Sequence, residues 1–319
     1  MRIAVAGAGA FGIKHLDALS RIEGVEVAAV VSRTAEQANE VAQRYGAPVA
    51  STDLNDVLDL AEVDAVILCT PTQMHAAQTR EVLRAGKHVQ VEIPLADSWA
   101  DAQEVAQVAR ESGRVCMVGH TRRFNPSHQW LHQRIVAEEL DLQHLDVQTF
   151  FFRRRNMNAL GEPRSWVDNL LWHHAAHTID LFSYQSGERI VDAHVMAGPS
   201  HRDLAIPMDM SIQLKSESGK LCTLALSFNN DGPLGTFFRY ICDNGTYIAR
   251  YDDLFTGRDE VVDLTNVAVS MDGIELQDRE FVSAIREGRS PNSSIESVLD
   301  CYRMLGQLQE QLSREPLRT

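Results

Sequence analysis

The sequence predicts an α/β protein of two domains: a doubly wound parallel sheet, then an α+β domain with a large, mostly antiparallel, open-faced sheet. In residues 1–120, short apolar strands alternate with helical segments, which is typical of a parallel sheet flanked by helices. After residue 120, strands of period two dominate, and Asp243-Asn244-Gly245 is a strong hairpin signal. We therefore expect domains at 1–120 and 121–319, with the final helix a candidate to pack back on the first domain.

Each element follows from its periodicity and from the residues that flank it. For the first domain we predict strands at 1–6, 25–31, 63–69, 88–92 and 114–118, and helices at 11–22, 34–45, 53–60, 74–85 and 98–113. For the second we predict strands at 146–152, 190–196, 210–215, 220–228, 236–242 and 246–251, and helices at 172–185, 276–286 and 294–312.

Composition excludes several classes of partner. The chain has 319 residues, 44% of them hydrophobic, and a formal net charge of −14, which argues against nucleic acid and anionic membrane. No apolar run reaches membrane-spanning length, and we see no signal peptide. The five cysteines form no CxxC pair, so we expect reduced thiols in a cytoplasmic protein.

A glycine-rich turn follows the first strand. Gly7-x-Gly9-x-x-Gly12 runs from that strand into a helix, and a second strand follows the helix. The first glycine permits the tight turn, the second admits a pyrophosphate, and the third lets the helix pack close to the strand. Together with Ala10 and Phe11, these residues predict a Rossmann dinucleotide site with the phosphates at the helix N-terminus. The alternative is a merely tight strand–helix turn.

The end of the second strand indicates which dinucleotide binds. An NAD site usually has Asp or Glu there, about twenty residues beyond the glycines, to accept from the ribose 2′-hydroxyl. This chain has Ser32-Arg33-Thr34 instead. A guanidinium and two hydroxyls suit a 2′-phosphate, so we predict NADP as the cofactor. In the alternative interpretation, Arg33 is a solvated surface charge.

Two further segments are predicted to edge the cofactor, because each follows a strand of the parallel sheet. The first contains Thr70, Pro71 and Thr72, with His75 opening the next helix. The second contains Glu92, Ile93 and Pro94. A carboxylate at the end of a buried strand is costly unless it is hydrogen-bonded, so Glu92 is predicted to contact the cofactor ribose. The alternative role is a helix cap.

One helix of the second domain contains the best catalytic candidates. His173 and His177 are four residues apart and share a face, and Asp180 lies one turn beyond His177. Histidine titrates near neutrality, as a general base for a hydroxyl must. We predict His177, His173 and Asp180 as the catalytic group, with His174 binding substrate. Zinc binding by His173 and His177 and a purely structural helix are the alternatives; we expect no metal, because HExxH is absent.

Arginines cluster against the acidic background. Their strand-like setting and the bidentate geometry of guanidinium predict binding of a small-molecule substrate with more than one carboxylate. A solvated charged face is the alternative. The candidate substrate ligands are Arg122, Arg123, Arg153, Arg154, Arg155, Asn156 and Asn158, with Arg164 close by in the sequence.

These motifs resemble the Gfo/Idh/MocA oxidoreductase superfamily over essentially the whole chain. The resemblance lies in the glycine turn, in Val63 to His75, in Ala85 to Pro94 and in His177-x-x-Asp180. It implies hydride transfer to a nicotinamide cofactor, His177 as the base, and a second domain whose open-faced sheet pairs subunits into a homodimer. The family usually has lysine where this chain has Ile93, and aspartate where it has His173.

Longer stretches resemble one branch of the superfamily, the 4-carboxy-2-hydroxymuconate-6-semialdehyde dehydrogenases. They are residues 119–130, 151–161, 171–178 and 227–236. The resemblance implies NADP-linked oxidation of a dicarboxylate hemiacetal to the lactone 2-pyrone-4,6-dicarboxylate, within aromatic degradation. A sugar-acid or inositol dehydrogenase and a non-catalytic NADP-sensing regulator are the alternative functions.

Overall fold

The computed structural model describes residues 1–157, 161, 163–164, 167–250 and 252–314. The strands are β1 (Arg2–Ala6), β2 (Glu26–Val31), β3 (Val49–Ser51), β4 (Ala65–Leu68), β5 (His88–Val91), β6 (Cys116–Val118), β7 (Leu142–Phe150), β8 (Ile190–Ala197), β9 (Asp209–Ser216), β10 (Leu221–Ser227), β11 (Gly235–Cys242), β12 (Gly245–Arg250) and β13 (Asp253–Thr256). The helices are α1 (Ala10–Leu19), α2 (Ala35–Tyr45), α3 (Leu54–Leu58), α4 (Thr72–Arg84), α5 (Trp99–Ser112), α6 (Pro126–Val136), α7 (Ala176–Ser186), α8 (Gly273–Glu287) and α9 (Ile295–Arg314).

The first sheet is parallel, with the order β3-β2-β1-β4-β5-β6. Its central strand β4 is apolar throughout, and all four of its residues are buried, as a strand covered on both faces requires. Side-chain caps fix the starts of its helices: Thr34 accepts from the Gln37 amide and Ser98 from the Asp101 amide. The carboxyl ends of β1, β2, β4 and β5 therefore present their following loops at one edge.

The second sheet is mixed, with the order β13-β12-β11-β7-β10-β9-β8. Among the described strands of this sheet, only the pair β7–β10 is parallel, so the predicted mostly antiparallel architecture is confirmed. Its buried face includes Val147, Ile212 and Leu224, whereas the alternate face remains open, with Gln213 and Arg239 exposed. Period-two patterning thus produced both the strands and their two-sided character.

The chain forms two compact units that are not contiguous in sequence. The first comprises Met1–His120 and Ile274–Leu299; the second comprises Thr121–Gly273 and Asp300–Thr319. The sequence suggested a single boundary at residue 120. The difference is that α8 and the first turn of α9 belong to the first unit.

Several elements differ from their predicted form. The helix expected at 172–185 is a π-helical turn, Leu170–Ala175, continued by α7. The helix α6 and the short strands β3 and β13 were not predicted, and β7 begins four residues before its predicted start. Among the described helices, none is both long and apolar enough to cross a membrane.

Candidate active site

The glycine-rich loop leaves open space where a pyrophosphate would sit. An added Cβ on Gly7, whose φ is +101°, would lie 2.3 Å from the Cys69 carbonyl oxygen, and one on Gly12 would lie 1.9 Å from that of Gly7. A Cβ on Gly9 would meet no atom within 4 Å. The first and third glycines are therefore required by packing, and the second faces space that a Cβ would fill. Since α1 begins at Ala10 without a side-chain cap, the residues present fit a dinucleotide phosphate.

The residues after β2 divide into one exposed cation and two helix-positioning hydroxyls. Arg33 is exposed. Ser32 is buried and donates its proton to Gln37 Oε1 at 2.6 Å, and Gln37 Nε2 donates to the Ala8 carbonyl at 3.2 Å. Thr34 caps α2. Ser32 thus donates to Gln37, which connects α2 to the glycine loop, and its contact with the 2′-phosphate stays a prediction.

His75 connects the two loops that were predicted to edge the cofactor. It is buried, and its Nε2 and Nδ1 lie 2.7 Å from the Thr70 carbonyl oxygen and 2.8 Å from the Pro94 carbonyl oxygen. Burial lowers its pKa. The histidine thus holds the backbone of both loops, and its direct contact with the cofactor stays a prediction. Thr72 is also buried, whereas Thr70, Pro71 and Ile93 are half-buried at the strand ends.

Glu92 is held from inside the first unit. Its Oε1 lies 3.1 Å from His15 Nε2, and His15 Nδ1 lies 2.8 and 2.9 Å from the two oxygens of Asp278. The helix-cap alternative for Glu92 is thereby replaced by a buried ionic cluster. Neither His15 nor Asp278 was predicted. The spacing of His15, three residues after Gly12, was a visible signal, whereas nothing near Asp278 indicated its role.

In the second unit, four cationic or titratable side chains surround one carboxylate, Asp168. Oδ2 of Asp168 forms an ion pair with Arg153 and accepts from Arg164 at 3.0 Å, and Oδ1 lies 3.1 Å from His174 Nε2. His173 Nδ1 is 3.9 Å from Oδ1. Burial opposes ionisation of Asp168, but the bond to His174 and the Arg153 charge hold its pKa well below the ordinary range. We call these five residues the Asp168 cluster.

Aromatic rings and a backbone clasp support the Asp168 cluster. The Arg153 guanidinium lies 4.8 Å from the Phe228 ring centroid, and the His174 ring centroid is 5.2 Å from that of Phe228. Arg164 donates its backbone amide to the Asn156 carbonyl at 3.0 Å. Asn156 thus acts by placing Arg164. Asn158 lies outside the described residues.

The π-helical turn gives His173 a defined tautomer. The side chain of Asn169 caps the turn by accepting from the backbone amides of Leu171 and Trp172. The backbone amide of Asn169 donates to His173 Nδ1 at 3.1 Å. Nδ1 is therefore an acceptor, so neutral His173 has its proton on Nε2 and is a donor there. Proton abstraction at that nitrogen is excluded for this tautomer. His177, the predicted base, is half-buried on α7.

Arg123 and Asp180 neutralise each other. Arg123 Nε donates to Asp180 Oδ2 at 2.8 Å and Nη2 to Oδ1 at 2.6 Å, and the residues are 4% and 1% exposed. Tyr184 covers the guanidinium, 4.8 Å from its ring centroid. Both oxygens of Asp180 accept from Arg123, and the catalytic role of Asp180 and the substrate contact of Arg123 stay predictions.

The remaining arginines differ in setting. Arg122 is half-buried, 5.7 Å from the Phe238 ring centroid, and Arg155 is exposed. Arg154 donates to the carbonyls of Arg153 and Phe228 and stacks on Phe152. Among the described residues, no three His, Cys, Asp or Glu side chains are arranged to hold a metal ion.

Comparison with known proteins assigns this fold and site to a class. A model of the oxidoreductase family with an NAD-binding Rossmann fold (GFO_IDH_MocA) matches residues 1–120, and a model of the C-terminal region of bacterial oxidoreductases matches residues 126–268. The chain belongs to the Gfo/Idh/MocA oxidoreductase family, and it is a dehydrogenase.

Within that family, one relative matches along its entire length. A 4-carboxy-2-hydroxymuconate-6-semialdehyde dehydrogenase of Sphingobium sp. (strain NBRC 103272 / SYK-6) is 69% identical over 315 residues, which is 99% of this chain and 100% of that protein. An inositol 2-dehydrogenase of Mycolicibacterium smegmatis (strain ATCC 700084 / mc(2)155) is 32% identical over 61% of this chain and 56% of that protein.

Solved structures agree with the fold. Levoglucosan dehydrogenase in complex with NADH and levoglucosan has a TM-score of 0.87 at 17% identity, covering 98% of this chain and 97% of that one. The UDP-N-acetylglucosamine 3-dehydrogenase of Acidithiobacillus ferrooxidans has a TM-score of 0.82 at 24% identity, covering 97% of each chain.

Proposed function

We propose that the protein oxidises 4-carboxy-2-hydroxymuconate-6-semialdehyde, as its cyclic hemiacetal, to 2-pyrone-4,6-dicarboxylate with NADP. One observation supports this above the others: the Asp168 cluster has more positive than negative charge, in a chain whose net charge is −14. A dicarboxylate would complement that surplus. The substrate is the one named for the relative at 69% identity.

In this proposal, Arg153 and Arg164 bind a substrate carboxylate from the positions in which Asp168 holds them. Asp168 holds both guanidinium groups, so that little side-chain entropy is lost when the substrate binds. Arg122, Arg154 and Arg155 are candidate ligands for the second carboxylate. His173 donates from Nε2, and His174 contributes its ring, to substrate oxygens.

The chemical step needs a base and a hydride acceptor. His177 takes the proton of the hemiacetal hydroxyl while the C–H bond of the same carbon breaks with its electron pair, so that this carbon becomes the lactone carbonyl. When bound, the nicotinamide supplies the hydride acceptor. A hemiacetal hydroxyl is more acidic than an ordinary alcohol, which suits an imidazole base in a chain with Ile93 where the family usually has lysine.

The choice of NADP rests on Arg33. It is exposed at the carboxyl end of β2, where an NAD enzyme has an acid. Its guanidinium would bind the 2′-phosphate, and the glycine loop with the start of α1 would bind the pyrophosphate.

A substrate panel tests the function. Hydride production, followed as NADPH absorbance, is expected with the dicarboxylate hemiacetal and is expected to be at least about a hundredfold weaker with myo-inositol or glucose, which offer nothing to the guanidinium groups. Equal turnover of a neutral sugar would favour the inositol or sugar-acid alternative. No turnover of any substrate would favour the regulatory one.

We also propose a homodimer built on the open face of the second sheet. That face mixes exposed apolar side chains, such as Met196 and Leu221, with polar ones, as a subunit interface does. The molecular mass of the protein in solution at micromolar concentration is expected to be that of two chains. A monomeric mass would refute the dimer without touching the catalytic proposal.

A further inference from the structure

Three charged side chains form a buried row that begins on α1, the helix that follows the glycine-rich loop. His15 of α1 is flanked by Asp278 of α8 and by Glu92, which follows β5; all three belong to the first unit. The side chains of His15 and Asp278 are 0% exposed, and that of Glu92 is 12% exposed. Of these three side chains, only that of Glu92 therefore reaches the surface of the unit.

The hydrogen bonds define the protons. Each nitrogen of His15 lies within hydrogen-bond distance of a carboxylate oxygen. Burial raises the pKa of Asp278 above its ordinary value, although the charge of His15 opposes that rise. With both carboxylates ionised, each can only accept, so both nitrogens of His15 donate and the ring is an imidazolium. Burial opposes that charge, but Asp278 and then Cys69 raise the pKa of His15 well above its ordinary value. Gln90 Nε2 donates to Asp278 Oδ1 at 2.6 Å, which secures the far end.

One edge of the Glu92 carboxylate is occupied. Oε1 accepts from His15 and, at 3.4 Å, from Gln277 Nε2. An added Cβ on Gly119 would lie 2.6 Å from the same oxygen, so the absence of a side chain there makes room for the carboxylate. Burial raises the pKa of Glu92, but the bond and charge of His15, with smaller effects of Gln277 and His75, bring it below its ordinary value.

We infer that His15 and Asp278 are positioning residues, which hold the Glu92 carboxylate ionised and in one orientation so that its outward edge binds hydroxyl groups of the cofactor ribose. A carboxylate that binds a sugar must not rotate or protonate, and a buried imidazolium fixed by a second carboxylate prevents both. Asp278 sets the charge of His15, and His15 sets the position of Glu92. The inference requires only that the family's dinucleotide binds; it is independent of the substrate proposed above and of the choice between NAD and NADP.

A purely structural role would also explain a buried ionic cluster, since removing one partner from such a cluster destabilises the fold. The two roles differ in coupling. If Asp278 acts on the cofactor through Glu92, its replacement has no further effect on cofactor affinity once Glu92 has lost its charge.

The test is a double-mutant cycle measured by calorimetric titration with NADP⁺ and with NAD⁺, without substrate, from pH 6 to pH 9. Glu92→Gln is expected to weaken the better-binding dinucleotide by about tenfold at every pH. Asp278→Asn is expected to weaken it by a similar factor and to make affinity fall as pH rises, because His15 without its partner loses its proton in this range. The double variant is expected to match Glu92→Gln alone.

The matched control is Asp17→Asn, which removes a half-buried carboxylate from the same helix, where it accepts from Tyr45. Its affinities are expected to equal those of the wild type. The inference is overturned if the losses from Glu92→Gln and Asp278→Asn add fully, or if Asp278→Asn binds as the wild type does at every pH. Failure to oxidise the semialdehyde would leave these titrations unaffected.

A measurement on the wild type needs no variant to fold. Nitrogen-15 NMR of protein labelled only at histidine is expected to show one imidazolium that keeps both protons to pH 9, and that signal is expected to disappear in His15→Gln. A His15 ring that is neutral at pH 7 would overturn the inference.

Discussion

The two carboxylate–histidine clusters of this protein are built from similar parts and have opposite charge. In the first unit, one cation, His15, lies between two acids, Asp278 and Glu92, and a negative charge remains. In the second unit, one acid, Asp168, lies among two arginines and two histidines, and a positive charge remains. In each cluster, the one group of opposite charge holds the others in place, and the charge in excess is available to a ligand.

Burial separates the two clusters as clearly as charge does. His15 and Asp278 are fully enclosed, whereas Arg153 and Arg164 are each 18% exposed at the side chain. A closed cluster can transmit position but cannot bind a substrate. A half-buried one can bind a carboxylate and still keep part of the strength that low dielectric gives to an ion pair. The comparison therefore supports the proposals that the first cluster positions Glu92 and that the second recognises the substrate.

The largest expected effect concerns His177, the proposed base. His177→Gln is expected to lower kcat by about 10²–10⁴, because the amide cannot accept the hydroxyl proton as a base. In the wild type, activity is expected to fall as pH drops through the histidine range. The matched control is His194→Gln, since His194 is exposed on β8. Near-normal kcat in His177→Gln with an unchanged acid limb would move the base elsewhere, with His174 the next residue to replace.

The second effect tests recognition by the positive cluster. Arg164→Ala is expected to raise KM for the dicarboxylate by about ten- to a hundredfold, with little change in NADP⁺ affinity, because a charge-assisted contact is lost. Arg239→Ala is the matched control: Arg239 also pairs with an aspartate, Asp146, but at 3.6 Å on the exposed face of β11. An unchanged KM in Arg164→Ala and Arg153→Ala would make the cluster structural.

A third, smaller effect tests the cofactor. Arg33→Ala is expected to weaken NADP⁺ by about tenfold and NAD⁺ hardly at all, the low end of the range for a charged contact because Arg33 is exposed. Arg44→Ala, at the other end of α2, is the control and is expected to change neither. Equal weakening of both dinucleotides in Arg33→Ala would show that Arg33 does not recognise the 2′-phosphate.

The smallest effect is on stability. The pKa of Asp168 is depressed in the folded protein, so its contribution is present above the unfolded value, about 3.9, and is lost as pH falls through the folded value. Between pH 7 and pH 3 the wild-type Tm is expected to decline more steeply than that of Asp168→Asn, which has no carboxyl group to protonate there. Parallel declines, measured by circular dichroism, would contradict this role of Asp168.

The sequence predicted Glu92 and several members of the Asp168 cluster as site residues, but not the side chains that pair with them, His15, Asp278 and Asp168. The glycine loop and Glu92 lie in short sequence motifs at strand ends, and these motifs alone predict a role in cofactor binding. Asp278 lies 263 residues from His15, and only the fold brings the two together. Asp168, five residues before His173, was visible, but no periodicity links it to Arg153.

The histidine helix shows a different limit. A regular α-helix was predicted from the spacing of its residues, but the π-helical turn at Leu170–Ala175 changes which faces His173 and His174 occupy. Arg123 and Asp180 likewise looked like site residues because of their charge. The two residues form a buried ion pair with each other, and because they are 57 positions apart in the sequence, neither segment alone indicates that contact.

Because α8 belongs to the first unit, the dinucleotide-binding module is one compact body that is built from two separate stretches of the sequence. A ribosome has already released the glycine loop and all six strands when it reaches residue 120, yet Asp278 and Gln277 are still to be translated. A fragment that ends at residue 120 would leave His15 with one acid instead of two. An exchange of cofactor specificity with a relative must therefore graft two separate stretches, residues 1–120 and 274–299, because the second supplies the counter-charge of the first.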